Sequence, residues 1–251
     1  MEAGARMLNS LFRKALPGLL AIIAGSTDTI GFLGLGGLFT AHITGNFVVL
    51  SAYALDRDHA PLAVILSVPV FMVVLVVTRM LTAALESFDV SSLQPLLVLQ
   101  SLLLAGFLAL RVTAGAHVDV DSAAAVLAGM FGVAAMAVQN ALVQISLQGI
   151  AATAVMTTNV TRFTLDLAEM LVGRDADGRL KARRAVNHLW PQIVGFVVGC
   201  GIGAASEAAF GDWSAAVPVT LAVLAAALSF NSMRGADSPD RRASATSVAA
   251  Q

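Results

Sequence analysis

Two short polar segments interrupt a chain that is otherwise dominated by apolar residues. Residues 39–46 read FTAHITGN and residues 152–159 read ATAVMTTN, and the two match at four of eight positions when offset by 113 residues. Hydroxyl and amide side chains can cap a broken helix, and backbone groups freed at such a break can bind an ion or a ligand. Two helix starts aimed at one region would suit an anionic or zwitterionic ligand, with simple capping as the structural alternative. The shared polar positions are Thr40 and Thr153, Thr44 and Thr157, and Asn46 and Asn159.

An acidic residue stands inside the first long apolar run. Asp28 follows Lys14 by 14 residues, which places it about 21 Å along a helix and near or somewhat past the midplane of a membrane. Ionisable groups at that depth cost about 2.5–3.5 kcal/mol on insertion scales and usually face a cavity, an ion path or a partner. Asp28 is therefore a candidate site for a proton, a cation or a substrate amine. The alternative is a packing carboxyl that is neutral or hydrogen-bonded to Ser26, Thr27 or another helix.

Further polar side chains could complete such a site. His42 is a candidate proton relay because a histidine titrates near neutral pH. The second segment has Val155 at the equivalent position, so the repeat does not require a histidine there. Asn140, Gln144 and Gln148 follow one another at a spacing of four, which places them on one helical face. This polar face predicts either part of a pathway or interhelical hydrogen bonds that hold helices together.

Catalytic sequence patterns are missing from the chain. It has no GxSxG, HExxH or phosphate-loop pattern, its one cysteine is Cys200, and its four histidines are scattered. We therefore expect no enzymatic activity, no metal and no cofactor. An intramembrane hydrolase that uses Ser26 or Thr44 with His42 is the least favoured alternative.

The composition identifies the environment that must hold these residues. Of the 251 residues, 57% are hydrophobic and 12% are charged, whereas soluble domains carry about 25% charged residues. This favours a polytopic membrane protein. A net charge of −1 gives no reason to expect nucleic-acid binding.

Six apolar runs are long enough to cross the bilayer as helices, and two shorter ones are not. The short pieces, 47–55 and 160–172, directly follow the polar segments. We expect an all-α integral membrane protein with about six transmembrane helices and two half-helix or re-entrant segments. The six long runs are 15–38, 61–84, 94–113, 122–147, 189–209 and 215–232.

The repeated order of elements predicts two internal repeats. Three crossings in each half would make the halves inverted, which we favour, whereas four crossings in each half would make them parallel. The predicted parts are an N-terminal segment 1–14, repeat 15–113, linker 114–121, repeat 122–232 with a basic loop 173–184, and a disordered tail 233–251.

Basic residues predict the orientation in the membrane. Eleven of the fifteen Lys and Arg residues lie in the N-terminal segment, the basic loop or the tail. By the positive-inside rule we expect these three parts, and therefore both termini, on the cytoplasmic side of a bacterial inner membrane.

The motifs resemble those of a known family. Residues 25–50, GSTDTIGFLGLGGLFTAHITGNFVVL, are similar to the signature of the YoaK family, in which a Gly-x-x-Asp segment precedes Phe, Thr and then Thr-Gly-Asn. VQNAL and the threonine-rich segment resemble the second-half motif, with Thr158 where the family often has glycine. The resemblance implies a bacterial multi-pass inner-membrane protein and supplies no substrate.

Two functions follow as hypotheses. The first is a transporter of an unknown small molecule or ion, with a midplane site between the repeats. The second is a membrane scaffold or sensor whose basic loop binds anionic lipid or a partner. Beyond the lipid bilayer the sequence supports no particular partner, and nothing in it supports an oligomer. The predicted site residues are Asp28, Thr40, Thr44, Asn46, Asn140, Gln144, Thr153, Thr157 and Asn159, with His42 as the proton relay.

Overall fold

Helices make up the chain wherever it is regular. The computed structural model describes residues 2–56, 59–115 and 119–234, and these residues contain no strand. The helices are α1 Glu2–Gly34, α2 Ile43–Asp56, α3 Leu62–Ser87, α4 Leu93–Ala114, α5 Ala123–Ser146, α6 Met156–Val172, α7 Ala176–Phe210 and α8 Ala216–Arg234, with a 3₁₀ turn at Gly211–Ala215.

The predicted all-α membrane fold is confirmed by the length and composition of these helices. Four apolar stretches long enough to cross a membrane coincide with α3, α4, α5 and the Ala15–Gly34 part of α1, and a fifth, Ala176–Phe230, contains α7, the 3₁₀ turn and most of α8. Helices α2 and α6 are shorter, with 14 and 17 residues.

Two predicted boundaries change. The basic loop 173–184 is wrong as a loop, because α7 begins at Ala176 and includes most of it. Asp175 starts this helix, since its carboxylate accepts hydrogen bonds from the amides of Asp177 and Gly178. Residues 233 and 234 belong to α8, and the rest of the predicted tail lies outside the described residues.

The ends of the long helices contact one another at two opposite ends of the helix bundle. At the Gly34 end, the amide of Leu62 at the start of α3 donates to Asp121 before α5, and Arg111 near the end of α4 donates to the Ile30 carbonyl of α1. At the opposite end, which we call the Ser146 end, the hydroxyls of Ser92 and Ser146 are 2.8 Å apart. Helix α1 therefore runs toward the Gly34 end, whereas α5 runs away from it.

Helix neighbours follow a reciprocal pattern. Helix α1 packs against α7 and α8, and α5 packs against α3 and α4. Likewise α2 packs against α3, and α6 packs against α7. Two halves related by a two-fold axis would exchange their neighbours in this way.

Glycines bring α1 and α7 into close contact. A methyl group on Gly195 would lie 2.6 Å from the Gly18 carbonyl oxygen, and one on Gly203 would lie 2.7 Å from that of Ser26. Gly199, between them, faces the backbone of Ile22 at a similarly close approach. The GFVVG sequence at 195–199 therefore packs α7 against α1 within the monomer.

Candidate functional site

A buried carboxylate binds the connection between α1 and α2. Asp28 Oδ1 accepts hydrogen bonds from the amide of Ala41 at 2.7 Å, the hydroxyl of Thr40 at 3.3 Å and the amide of His42 at 3.4 Å. Asp28 lies six residues before Gly34, or about 9 Å from the end of α1. The connection therefore turns back along α1, and Asp28 lies in the half of the apolar part of α1 that is nearer the Gly34 end.

His42 completes this arrangement. Its Nδ1 lies 2.7 Å from Asp28 Oδ2, and 34% of its side chain is exposed against 5% for Asp28. The ring of Phe196 on α7 packs edge-on against the imidazole, with centroids 5.3 Å apart. His42 is therefore the exposed member of a pair whose carboxylate is enclosed.

The pKa of His42 follows from this contact. His42 lies between α1 and α2, outside the membrane-crossing segments. The hydrogen bond to Asp28 raises the pKa of His42 above its ordinary value, burial of the ring opposes the increase, and the negative charge of Asp28 adds to it. The imidazole therefore holds its proton to a higher pH than a free histidine does.

Asn46 holds the first polar segment in shape. Its side-chain oxygen accepts from the Phe39 amide at 2.9 Å, and its NH₂ group donates to the Phe39 carbonyl and to the Ser67 hydroxyl on α3, both at 2.8 Å. Asn46 lies in the first turn of α2. The side chain therefore holds Phe39, which precedes α2, against the first turn of α2. It also attaches this turn to Ser67 on α3.

Asn159 makes the corresponding bond in the second segment. Its NH₂ group donates to the Ala152 carbonyl at 2.6 Å. Ala152 and Asn159 lie 113 residues after Phe39 and Asn46, the offset at which the two sequences match. The same residue type thus closes the same seven-residue loop in both segments.

Gln139, which is not among the predicted site residues, takes the place of Asp28 in the second half. Its Nε2 donates to the Thr153 hydroxyl at 3.0 Å and to the Leu20 carbonyl of α1 at 2.9 Å, while its Oε1 accepts from Gln100 at 2.7 Å. Thr153 is the counterpart of Thr40, which bonds to Asp28. That correspondence, together with the neighbouring VQNAL sequence, is the signal that could have identified Gln139.

The predicted site residues form two groups rather than one. Thr40 and Asn46 lie with Asp28, whereas Thr153 and Asn159 lie in the segment that Gln139 holds. The two groups reach α1 at Asp28 and at Leu20, which are eight residues or about 12 Å apart along the helix.

Four predicted side chains belong to neither group. Thr44, Gln144 and Thr157 are exposed. Asn140 donates to the Met136 carbonyl of its own helix at 2.8 Å, one turn back. The polar face predicted for α5 therefore contributes to neither segment, and the adjacent Gln139 does so instead.

Comparison with known proteins identifies the family. The family described as "Protein of unknown function (DUF1275)" matches residues 16–228. The chain belongs to this family. A DUF1275 assignment agrees with the resemblance to the YoaK family, which is confirmed by similarity to the UPF0700 transmembrane protein YoaK of Bacillus subtilis (strain 168).

The similarity to that relative is local. It is 48% identity over 44 residues, which is 18% of this chain and 20% of the Bacillus protein. The match therefore spans about a fifth of that relative's length. Membership of the DUF1275 family, the transmembrane relative and the apolar helices together identify a membrane protein. No solved structure matches the chain.

We expect the two asparagines to contribute unequally to stability. Asn46→Ala removes three hydrogen bonds, two with the half-buried backbone of Phe39 and one with the Ser67 hydroxyl, which keeps its bond to the Val64 carbonyl, at about 0.5–1.5 kcal/mol for each bond. Asn159→Ala removes a bond to the half-buried Ala152 carbonyl and a weak bond to the Met156 sulfur, and is expected to cost about 1 kcal/mol. Thermal unfolding in detergent measures both, with the exposed Asn187→Ala as the control. Equal midpoints for all three variants would contradict a structural role for the asparagines.

Proposed function

We propose that this protein is a permease of the bacterial inner membrane that moves a small molecule or ion and binds a proton at the Asp28–His42 pair. The observation that carries the proposal is the difference between the two polar segments. An ionisable pair holds the first, and the neutral amide of Gln139 holds the second. A neutral amide is enough to hold a polar segment in place, as Gln139 does in the second half. An acid and a histidine at the equivalent place in the first half therefore indicate a site that changes protonation state.

The membrane arrangement in this proposal has six crossings and two partial segments. Helices α1, α3 and α4 would form one half, and α5, α7 and α8 the other, with α2 and α6 as the partial segments. The opposite directions of α1 and α5 and the reciprocal helix contacts support inverted halves. The basic start of α7 lies at the Ser146 end, so the positive-inside rule assigns that end and both termini to the cytoplasm.

Proton binding at His42 would act on the connection between α1 and α2. A protonated imidazole offsets the enclosed carboxylate, and such an interaction is strong where water is scarce. When the proton leaves, Asp28 loses its positively charged partner while it still binds the Thr40 hydroxyl and the Ala41 amide. The connection is then held less tightly, which links proton release to movement at the Gly34 end. The described site offers acid–base groups for this step, and we propose transport rather than catalysis.

The pH dependence of this movement has a definite sign. Because the pKa of His42 is raised in the folded protein, the stabilisation from the pair is complete below the pKa of a free histidine. The stabilisation is lost as pH rises through the raised value. Amide hydrogen exchange of residues 35–42 is therefore expected to accelerate, beyond the intrinsic pH effect, above neutral pH. His42→Gln should remove this extra acceleration, and an unchanged profile in that variant would contradict the proton site.

Transport itself is tested with purified protein in liposomes. A panel of labelled small metabolites and ions is offered while an imposed pH gradient and an entrapped pH dye report proton movement. We expect at least one flux that depends on the gradient and falls to the empty-liposome level in His42→Gln. Thr44→Val serves as the control, since Thr44 is exposed and belongs to neither group. Gradient-independent flux, or no movement of any panel member or proton, would count against the proposal.

A second candidate function has one observation in its favour. Five basic side chains around the start of α7 are exposed, as binding of anionic lipid or a partner requires. A scaffold or sensor of this kind should fail when Arg183 and Arg184 become glutamine and should keep its activity in Asp28→Asn protein that remains folded. The transporter should respond in the opposite way. The five residues are Arg174, Arg179, Lys181, Arg183 and Arg184.

A further inference from the structure

A small cavity opens at the Gly34 end, separate from the Asp28–His42 pair. Its volume is about 60 Å³, and it is lined by the backbone of Gly34 and Gly115 and by the side chains of Arg111, Val120 and Asp212. A water molecule needs about 10–15 Å³ of such space. The cavity therefore has room for several waters or for a molecule of a few heavy atoms.

Arg111 forms the enclosed wall of the cavity. Its side chain is 4% exposed, and it donates to the Ile30 carbonyl at 3.2 Å and to Glu207 Oε1 at 2.7 Å. A guanidinium has five N–H donors in a fork that suits carboxylates, and these two contacts leave others available. A methyl group on Gly34 would lie 2.5 Å from the guanidinium, so the absence of a side chain there allows Arg111 to lie against α1.

Asp212 lines the cavity beside Arg111 and is the more exposed of the two side chains. Its carboxylate lies 3.9 Å from the Arg111 guanidinium, beyond hydrogen-bond distance, and 25% of its side chain is exposed. Glu207, by contrast, is bound closely by both Arg111 and Ser214. Among the described residues, the Asp212 carboxylate makes this loose ion pair and no hydrogen bond, so its oxygens are available to a ligand.

The charges around the cavity select a class of ligand. Glu207 already offsets Arg111, so a simple anion would gain little from the guanidinium and would be repelled by Asp212. A simple cation would find Asp212 but would lie close to Arg111. A ligand with both charges places its carboxylate on the remaining Arg111 donors and its ammonium on Asp212. We propose that this cavity binds a small zwitterion whose carboxylate and ammonium are one or two carbons apart.

The position of this site gives it a role in the transporter proposed above. It lies at the same end of the helix bundle as the connection held by Asp28, between α1, α4 and the turn after α7. A zwitterion bound there would be a substrate at the entrance. That role rests on the proposed function, whereas binding to the cavity does not.

A neighbouring tryptophan allows binding to be measured without transport. Trp213 follows Asp212 directly and is 61% exposed, and Trp190 is the other of the two tryptophans. In the Trp190→Phe variant of the full chain, fluorescence comes from Trp213. Glycine and β-alanine are titrated in detergent up to ~0.1 M, alongside acetate and methylammonium at matched ionic strength.

We expect a saturable change in Trp213 emission with glycine or β-alanine. Binding should weaken by at least about tenfold for acetate and methylammonium, and likewise for glycine in Asp212→Asn. Glu86→Gln, which removes an exposed acid at the other end, should bind normally. No saturable change, an equal response to acetate alone, or an unchanged response in Asp212→Asn would overturn the proposal. Binding without flux in liposomes would contradict the transporter and leave this site intact.

Discussion

Asp28→Asn is expected to abolish proton-dependent flux and to destabilise the protein by about 2–4 kcal/mol. The carboxylate accepts from the Ala41 amide, the Thr40 hydroxyl and the His42 ring. An asparagine of the same shape keeps one acceptor oxygen and places an NH₂ group against the His42 ring, which a protonated imidazole cannot accept from, so the charged pair is lost and only a neutral imidazole fits. It also removes the hydrogen bond to a carboxylate and, with it, the negative charge that together raise the pKa of His42.

Thermal unfolding in detergent and flux in liposomes measure the two effects separately. Glu86→Gln is the matched control, because Glu86 is an exposed acid whose nearest basic partner, Arg79, lies 3.5 Å away. Exposed ion pairs contribute about 0–1 kcal/mol, so this variant should resemble the parent protein. A parent-like midpoint together with parent-like flux in Asp28→Asn would show that the carboxylate has neither role.

Gly199→Ala is expected to lower the stability of the folded protein by about 1–3 kcal/mol or more. The added methyl group would enter the space occupied by the Ile22 carbonyl, which is backbone and has no side chain that could move aside. Relief requires α1 and α7 to separate, and that would also loosen the contacts of Gly195 and Gly203 with α1. Because Asp28 lies on α1 and Phe196 on α7, the separation should reach the site as well.

Gly201→Ala provides the control on the same helix. A methyl group there would meet no other atom within 4 Å, and alanine favours a helix over glycine by about 1 kcal/mol. The two variants should therefore shift the unfolding midpoint in opposite directions. Equal shifts would mean that helix propensity, rather than the α1–α7 contact, decides the effect. A higher midpoint for Gly199→Ala would contradict close packing there.

The fold class and the first polar segment follow from local features of the sequence. Apolar runs of about 20 residues and few charges indicate membrane helices because the bilayer excludes unpaired backbone and charged groups. The same constraint makes Asp28 and the asparagines of the two segments conspicuous. Asn46 and Asn159 could be predicted because their spacing is repeated, and the structure gives both the same bond across seven residues.

Tertiary packing decided which polar neighbours meet. Asn140 and Gln139 differ by one position, which turns a side chain by about 100° around the helix, and only the contacts of α5 with other helices select Gln139. Arg111 and Glu207 are separated by 96 residues, so no local pattern joins them. The start of α7 within a charged segment likewise depends on the Asp175 cap and on packing against α6.

The sequence alone thus determined that polar groups must be enclosed in this membrane protein, because the bilayer penalises them wherever they lie. Only the packed helices determined which partners enclose each one, since that depends on helix rotation and on contacts between distant residues.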